Sequence, residues 1–394
     1  MAANASLYPL PRADYTPSPS VHVIPSPSRV VAQRFYKTKL EEHEETWRDR
    51  YLFLLSRGLE LRFRYKPGWI PSWLGTDLDP ATCDDSIRQT LHMVLDAKRH
   101  RVGDIVCIKR IEHKEHRTDE VRIGKFLSAE QMLRSPNNHC VPILDSFCDP
   151  ILPNVEYIVM PVLRPYNDPA FCAIGEVIDF VTQIIEGMSF IHGHLFAHGD
   201  LTSENIMMDA RPILPKGWHF VEDQSEPNGV DAIAPLARID HPVRYYIVDY
   251  DCSMQFRPGQ SHLVKDFGGR DASPPELMIH SEYDAFKVDV FTVGNVLDKD
   301  FYKVYNGLAF LEALIMSMKT PDFRQRPTAQ ASFKIWLGIR NQLDVSSSRW
   351  RLRKRDETMG ERMVLDAVAA AKEGIYNMKR MLSPQQQKGR VVTS

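Results

Sequence analysis

What the 394-residue sequence lacks narrows its class before any motif is read. No run of about 18 apolar residues occurs, so no segment reads as a membrane-spanning helix; the apolar stretch Leu308 to Met318 is short and broken by Glu312. The opening stretch MAANASLYPLPRADY has no basic region followed by an apolar core, so no secretory signal is expected. Cysteine is scarce: Cys83, Cys107, Cys140, Cys148, Cys172 and Cys252 fall without a CxxC or other metal-ligand spacing. That argues against structural zinc and a disulfide framework and suits a reducing compartment. Neither sign of charge dominates, with 49 Lys and Arg against 51 Asp and Glu and a formal net charge of -2, so no whole-molecule attraction to nucleic acid or membrane is expected. With 43% hydrophobic and 25% charged residues, the composition is that of a folded globular protein. A soluble, cytoplasmic protein is the expectation.

Length exceeds the usual single domain, so one large two-lobed domain with tails or two domains is expected. Residues 1–35 are rich in Pro and Ser and read as a disordered arm. Residues 36–82 hold a predicted amphipathic helix, Thr38 to Leu55, with Trp47, Tyr51, Leu52 and Leu55 at helical spacing. The aromatic strap LELRFRYKPGWIPSWLG comes next, with Pro67, Gly68 and Pro71 arguing against a regular element. Helix and strap both read as packing on the strand-rich residues 83–163; for the strap, a peptide-binding groove is the alternative.

Residues 83–163 read as mainly strands. His92 to Ala97 and Asp104 to Ile111 form a predicted hairpin around Gly103, a helix carries Ile123, Phe126 and Leu127, and VPILDSF and VEYIVMPVL are strand-like. Residues 164–345 turn mainly helical, beginning with a buried stripe of Val177, Phe180, Val181, Ile184, Ile185 and Met188. Within them, 210–242 reads as a Pro-rich inserted loop. Residues 346–394 form a basic, partly helical tail. The run Arg349 to Arg355 is a candidate nuclear import signal, and a solvated linker is its plainer reading.

The densest chemical signal is His198-Gly199-Asp200-Leu201-Thr202-Ser203-Glu204-Asn205, between the buried helix and the apolar run Ile206 to Met208. An Asp can accept a hydroxyl proton, and an Asn five residues on can hold Mg²⁺ where the chain doubles back. Upstream, Val106-Cys107-Ile108-Lys109 closes the second hairpin strand; downstream, Tyr246 to Val248 is an apolar strand ending in Asp249.

These segments, in this order, resemble those of the eukaryotic protein kinases, and HGDLTSENIMMD together with the strap resembles the protein-kinase-like proteins of mushroom-type fungi. The resemblance runs from about residue 85 to 340. It implies an α+β, two-lobed protein kinase-like fold, with a small β-rich N-lobe carrying helix C and a larger, mainly helical C-lobe. It implies ATP and Mg²⁺ as cofactors, Asp200 as catalytic base, and Asn205 and Asp249 as metal ligands. Lys109 would contact the phosphates and pair with a helix C carboxylate: Glu120 in this reading, with Glu115 and Glu130 as alternatives. Val94, Ala97, Met160, Pro161 and Leu163 would line the adenine site. His198, Glu276, Asp289 and Arg326 would be structural: Glu276 of Pro274-Pro275-Glu276 pairs with Arg326, and Asp289 holds the catalytic-loop backbone. A literal Asp266-Phe267-Gly268 also occurs. It stands too close to Pro274, because an activation segment needs roughly twenty residues to loop out and return.

The pattern fails in places. Asp84 to Lys98 contains no glycine, so no GxGxxG turn can bring backbone N–H groups close over the phosphates. Gly199 stands where arginine is usual and Thr202 where serine/threonine kinases commonly carry lysine. Activity independent of loop phosphorylation is therefore expected. Three functions remain open: a protein kinase phosphorylating Ser or Thr of a protein substrate, a pseudokinase scaffold, and a small-molecule phosphotransferase of the aminoglycoside or choline kinase type. Pro275-Glu276, Asp289 and Arg326 speak against the third. A monomer is expected.

Overall fold

Near the amino end the chain makes two short helices, α1 (Glu42–Asp49) and α2 (Tyr51–Ser56), in a computed structural model that describes residues 36–113, 119–265, 268–278 and 282–382. The arm 1–35, Glu115, and Asp266 with Phe267 lie outside the described residues. The single helix expected over Thr38 to Leu55 is interrupted at Arg50, whose guanidinium reaches Asp149 at 2.6 Å. Trp47, Tyr51 and Leu54 face inward at helical spacing, whereas Leu52, expected inside, lies on the opposite side and is 68% exposed.

The strap is more regular than expected. It opens with β1 (Leu59–Leu61), which pairs antiparallel with β2 (Val94–Arg99), and β2 pairs with β3 (Ile105–Glu112) around the turn at Gly103. Helices α3 (Glu120–Leu127) and α4 (Glu130–Leu133) come next, then β4 (Asp145–Cys148) and β5 (Val155–Pro161). The sheet order is β1-β2-β3-β5-β4. One face buries Leu95, Ala97, Val106, Ile108 and Val159 against Trp47, Tyr51 and Leu54. Between β1 and β2, residues 62–93 run without a strand.

Beyond β5 the chain is mainly helical. The short strand β6 (Arg164–Pro165) precedes α5 (Ile174–Gly193), whose apolar stripe forms the centre of the larger core. Glu176, buried in the first turn of α5, satisfies orphan donors by accepting from the Cys172, Ala173 and Ile239 N–H groups. After α5 come β7 (Phe196–Ala197), β8 (Ile206–Asp209) and β9 (Arg244–Ile247), with β8 and β9 antiparallel. Next in the chain are β10 (Met254–Gln255), β11 (Leu263–Val264), α6 (Pro275–Met278), β12 (Tyr283–Asp284) and α7 (Ala285–Val296). The last elements among the described residues are β13 (Tyr305–Asn306), α8 (Glu312–Met318), α9 (Ala329–Arg340), β14 (Arg353–Lys354) and α10 (Met359–Leu382). An α+β architecture, an antiparallel sheet joined to a helical part, is what the sequence led us to expect. No helix among the described residues is long and apolar enough to cross a membrane.

The basic run Arg349 to Arg355 is not a solvated linker. Arg351 binds Glu357 through both oxygens at 2.7 and 2.8 Å and Asp366 at 2.7 Å. Arg349 meets Asp240 at 2.9 Å, Leu352 is buried, and β14 pairs with β13.

Candidate active site

Strand pairing sets the site. Ile206 lies opposite Ile247, and the Val248 N–H donates to the Asn205 carbonyl at 3.0 Å, so the residues flanking β8 and β9 are forced together. Asp249 comes two residues after the end of β9, with φ +67°, a left-handed conformation that a non-glycine residue adopts at a cost and that concentrates at functional sites. The adjoining Tyr250 is buried beneath α3 and donates its hydroxyl to the Ile247 carbonyl at 3.0 Å.

The loop carrying Asp200 is held from below. Asp289, buried in α7, accepts from the His198 N–H at 2.7 Å, the Gly199 N–H at 2.9 Å and the His192 ring at 2.8 Å. His198 Nδ1 accepts from the Asp200 N–H, and its Nε2 faces the Val248 carbonyl at 3.1 Å. Asn205 Nδ2 donates at 2.8 Å to both the Asp200 carbonyl and Asp200 Oδ2, which leaves Asn205 Oδ1 turned the other way.

Lys109, on β3, reaches Glu120 at 2.6 Å and Asp249 at 2.8 Å. Burial by itself would lower the lysine's pKa, but the two carboxylates more than reverse it and hold the ammonium charged. Burial pushes the Glu120 carboxyl up, against the pull of Lys109. For Asp249 burial is outweighed by Lys109, and its carboxyl sits below the ordinary range. Asp200 is raised, chiefly by burial. Of the alternatives to Glu120, Glu130 is exposed and paired with Arg134. Glu276 binds Arg326 through both oxygens, at 2.7 and 3.0 Å, fully buried.

The oxygen donors of Asp249 and Asn205 are hard ligands of the kind Mg²⁺ takes, and the Asn205 amide is already oriented with its oxygen outward, so this set fits the ion.

Register corrects one expected residue. Directly paired residues share a face, so Val94, Asp96, Cys107, Ile158 and Met160 lie on the Lys109 side of the sheet. Ala97 pairs with Val106 on the opposite side, in the core beneath α1 and α2, and cannot line a site beside Lys109. Pro161 likewise pairs with Val106; Leu163 packs on the helical core. Counting back two residues from Lys109 would have found Cys107. Asp96 on this face is paired with Arg62 at 3.0 Å, and Arg62 also donates to the Ile87 carbonyl at 3.0 Å; neither pairing had a sequence signal. A fourth unforeseen residue, Arg270, enters from the segment before α6. Its backbone N–H donates to Asp200 Oδ1 at 2.7 Å, and its guanidinium approaches Asn205 Oδ1 at 3.3 Å.

A family model described as the protein kinase domain matches residues 90–307. The matched span takes in Lys109, Glu120, Asp200, Asn205, Asp249, Glu276 and Asp289 and ends before Arg326.

Proposed function

The chain belongs to the protein kinase family, and from that premise we propose that it transfers the γ-phosphoryl group of ATP to serine and threonine hydroxyls of a protein substrate. The observation carrying this reading is the convergence of Lys109, paired with Glu120, on Asp249, within one cluster that also holds Asp200 and Asn205.

In this reading Asp200 accepts the proton of the attacking hydroxyl, while the Asn205 amide and Asp289 fix its position. Lys109 holds the nucleotide phosphates, oriented by Glu120. Asn205 and Asp249 would hold Mg²⁺, which when bound neutralises charge on the phosphates. Val94, Cys107 and Met160 form the apolar wall for the base, with the Pro161 carbonyl and the Leu163 N–H, rather than their side chains, at its edge. Glu276, anchored by Arg326, seats the segment against which a protein substrate lies; this favours a protein over a small-molecule acceptor. The parallel with kinase-like proteins of mushroom-type fungi rests on the catalytic loop and strap. Arg349 to Arg355 act as a clasp on the chain's own body rather than as an import signal.

Loop phosphorylation is not required. Gly199 has φ +79°, and a Cβ there would run into the Cys252 carbonyl oxygen, so no arginine can stand there to receive a phosphate. Activity that disappears on phosphatase treatment would contradict this.

A scaffold with little turnover is the second reading, favoured by the buried Arg62–Asp96 pair on the Lys109 face of the sheet. Thermal-shift titration with ATP and Mg²⁺ separates the two: a bound nucleotide at 100 times its Kd adds about 2.7 kcal/mol. Labelled-phosphate transfer that Asp200→Asn and Lys109→Met abolish supports the kinase; no shift and no transfer would leave the scaffold.

A further inference from the structure

Arg270 lies among the three groups assigned above to proton transfer and metal binding. Its backbone N–H occupies Asp200 Oδ1 at 2.7 Å. Its guanidinium stands 3.3 Å from Asn205 Oδ1, 3.4 Å from Asp200 Oδ2 and 3.9 Å from Asp249 Oδ2. Both Asp200 oxygens thus already have donors from the chain itself, since Oδ2 also accepts from Asn205 Nδ2. The two oxygens suited to a metal ion face the same guanidinium.

The backbone that presents Arg270 is anchored. Asp271 Oδ2 accepts from Asn295 Nδ2, on α7, at 2.6 Å, and Asp271 Oδ1 accepts from the Ser273 N–H at 3.1 Å. On the other side, the Cys252 thiol donates to the Gly268 carbonyl at 3.2 Å. Meanwhile the Lys109–Glu120 pair is formed. What stands between this arrangement and a working site is therefore the segment around Arg270, not a displaced α3.

We propose that Arg270 is an autoinhibitory counter-ion: its guanidinium takes the place of the metal at Asn205 and Asp249 while its backbone covers the base, and metal–nucleotide binding must expel it. The inference rests on the kinase reading of the site. A guanidinium and Mg²⁺ cannot share the same oxygens, and two cations a few ångströms apart repel. The apparent affinity for the metal is therefore reduced by the fraction of molecules in which Arg270 is withdrawn. The side chain is 35% exposed, so it can swing outward without opening the core.

The test compares the wild-type chain with Arg270→Ala, which keeps the backbone N–H, and Arg270→Lys, which keeps a charge but not the planar fork. Mn²⁺ binding is followed by electron paramagnetic resonance with ADP present, alongside calorimetric titration of Mg²⁺·ADP and phosphotransfer from ATP. Ligand-free melting temperatures confirm that each variant is folded. Arg270→Ala should bind Mn²⁺ at least about tenfold more tightly, a gain of about 1.4 kcal/mol, with faster transfer and Arg270→Lys in between. Unchanged or weaker metal binding in Arg270→Ala, with the wild type binding Mg²⁺·ADP, overturns the counter-ion and leaves the kinase reading standing. A fall in both binding and transfer would make Arg270 a phosphate-binding residue instead. If neither protein binds Mg²⁺·ADP, the counter-ion and the kinase reading fall together.

Discussion

Arg326→Met tests whether the segment before α7 is hung from a single buried ion pair. Arg326 is 1% and Glu276 4% exposed. The guanidinium donates to both Glu276 oxygens, to the Lys287 carbonyl at 2.6 Å and to the Thr320 carbonyl at 3.1 Å, and lies 4.7 Å from the centre of the Phe291 ring. Methionine preserves most of the stem packed on Phe291 but leaves a carboxylate buried without its counter-charge and two carbonyls without their donor. Removing one partner of such a pair costs about 3–5 kcal/mol, whereas replacing both with apolar residues is often far less harmful. With an unfolding entropy of about 2.1 cal/mol/K per residue, a chain of this length loses only about 1.2 °C per kcal/mol, so the melting temperature of Arg326→Met should fall by about 4–6 °C. The double variant Glu276→Leu with Arg326→Met should recover a large part of the loss. Urea denaturation of wild type, both single variants and the double closes the cycle. A loss below about 1 kcal/mol in Arg326→Met, or a double variant that simply adds the two single losses, would refute the reasoning.

Gly199→Arg restores the residue usual in the resembling loop, yet it should destabilise: positive φ alone costs about 1–3 kcal/mol outside glycine, and the new Cβ meets the Cys252 carbonyl. Thermal denaturation checks it, and a stable variant would show that the loop can relax. Asp289→Asn loses one of the two oxygens that accept the His198 and Gly199 N–H groups. Transfer should slow by about a hundredfold through misplacement of Asp200, read as a fall in kcat with KM for ATP little changed. Asp149 gives a pH dependence. Burial would raise it, but Arg50, the Leu152 and Ile151 N–H groups and the Tyr157 hydroxyl hold it at about 2, against an ordinary 3.8. Because the folded-state value is depressed, its contribution of about 2 kcal/mol is complete above pH 4 and lost as pH falls toward 2. Asp149→Asn should therefore show a flatter acid limb in urea denaturation between pH 2 and 6.

Much of the site was legible because it depends on order and spacing along the chain. An acid and an amide five residues apart, next to a strand that pairs with the one ending near Asp249, leave few ways for Asp200, Asn205 and Asp249 to lie far apart. Strand alternation was equally available, and the Ala97 expectation failed because it followed a motif position instead of the two-residue period that puts Cys107 beside Lys109. Arg270 had no such signal. Its place depends on where the chain returns after Asp249, which the Asp271–Asn295 contact decides. Only the linker reading of Arg349 to Arg355 failed, for a related reason: a run of arginines looks the same in sequence whether its partners are water or Glu357 and Asp366.

The missing glycine turn, the strap and residues 210–242 belong to one arrangement. In place of a short glycine turn between β1 and β2 the chain spends residues 62–93, and it fastens them with side chains. Arg64 binds Glu44 at 2.6 and 2.9 Å, both fully buried, and Asp85 accepts from Trp69 Nε1, the Ser72 N–H and the Ser72 hydroxyl. Arg62 ties the start of this stretch to Asp96 and to the Ile87 carbonyl. The far side is held by residues 210–242. His219 Nδ1 accepts from the Val221 and Glu222 N–H groups, so in the neutral ring Nε2 carries the proton and donates to Asp84 at 3.0 Å. Gly229, with φ +70°, lets the loop come directly against Ile87. A glycine turn grips phosphates by letting a mobile backbone close on them; this chain instead fixes the position of the stretch in advance, from α1 on one side and from residues 210–242 on the other.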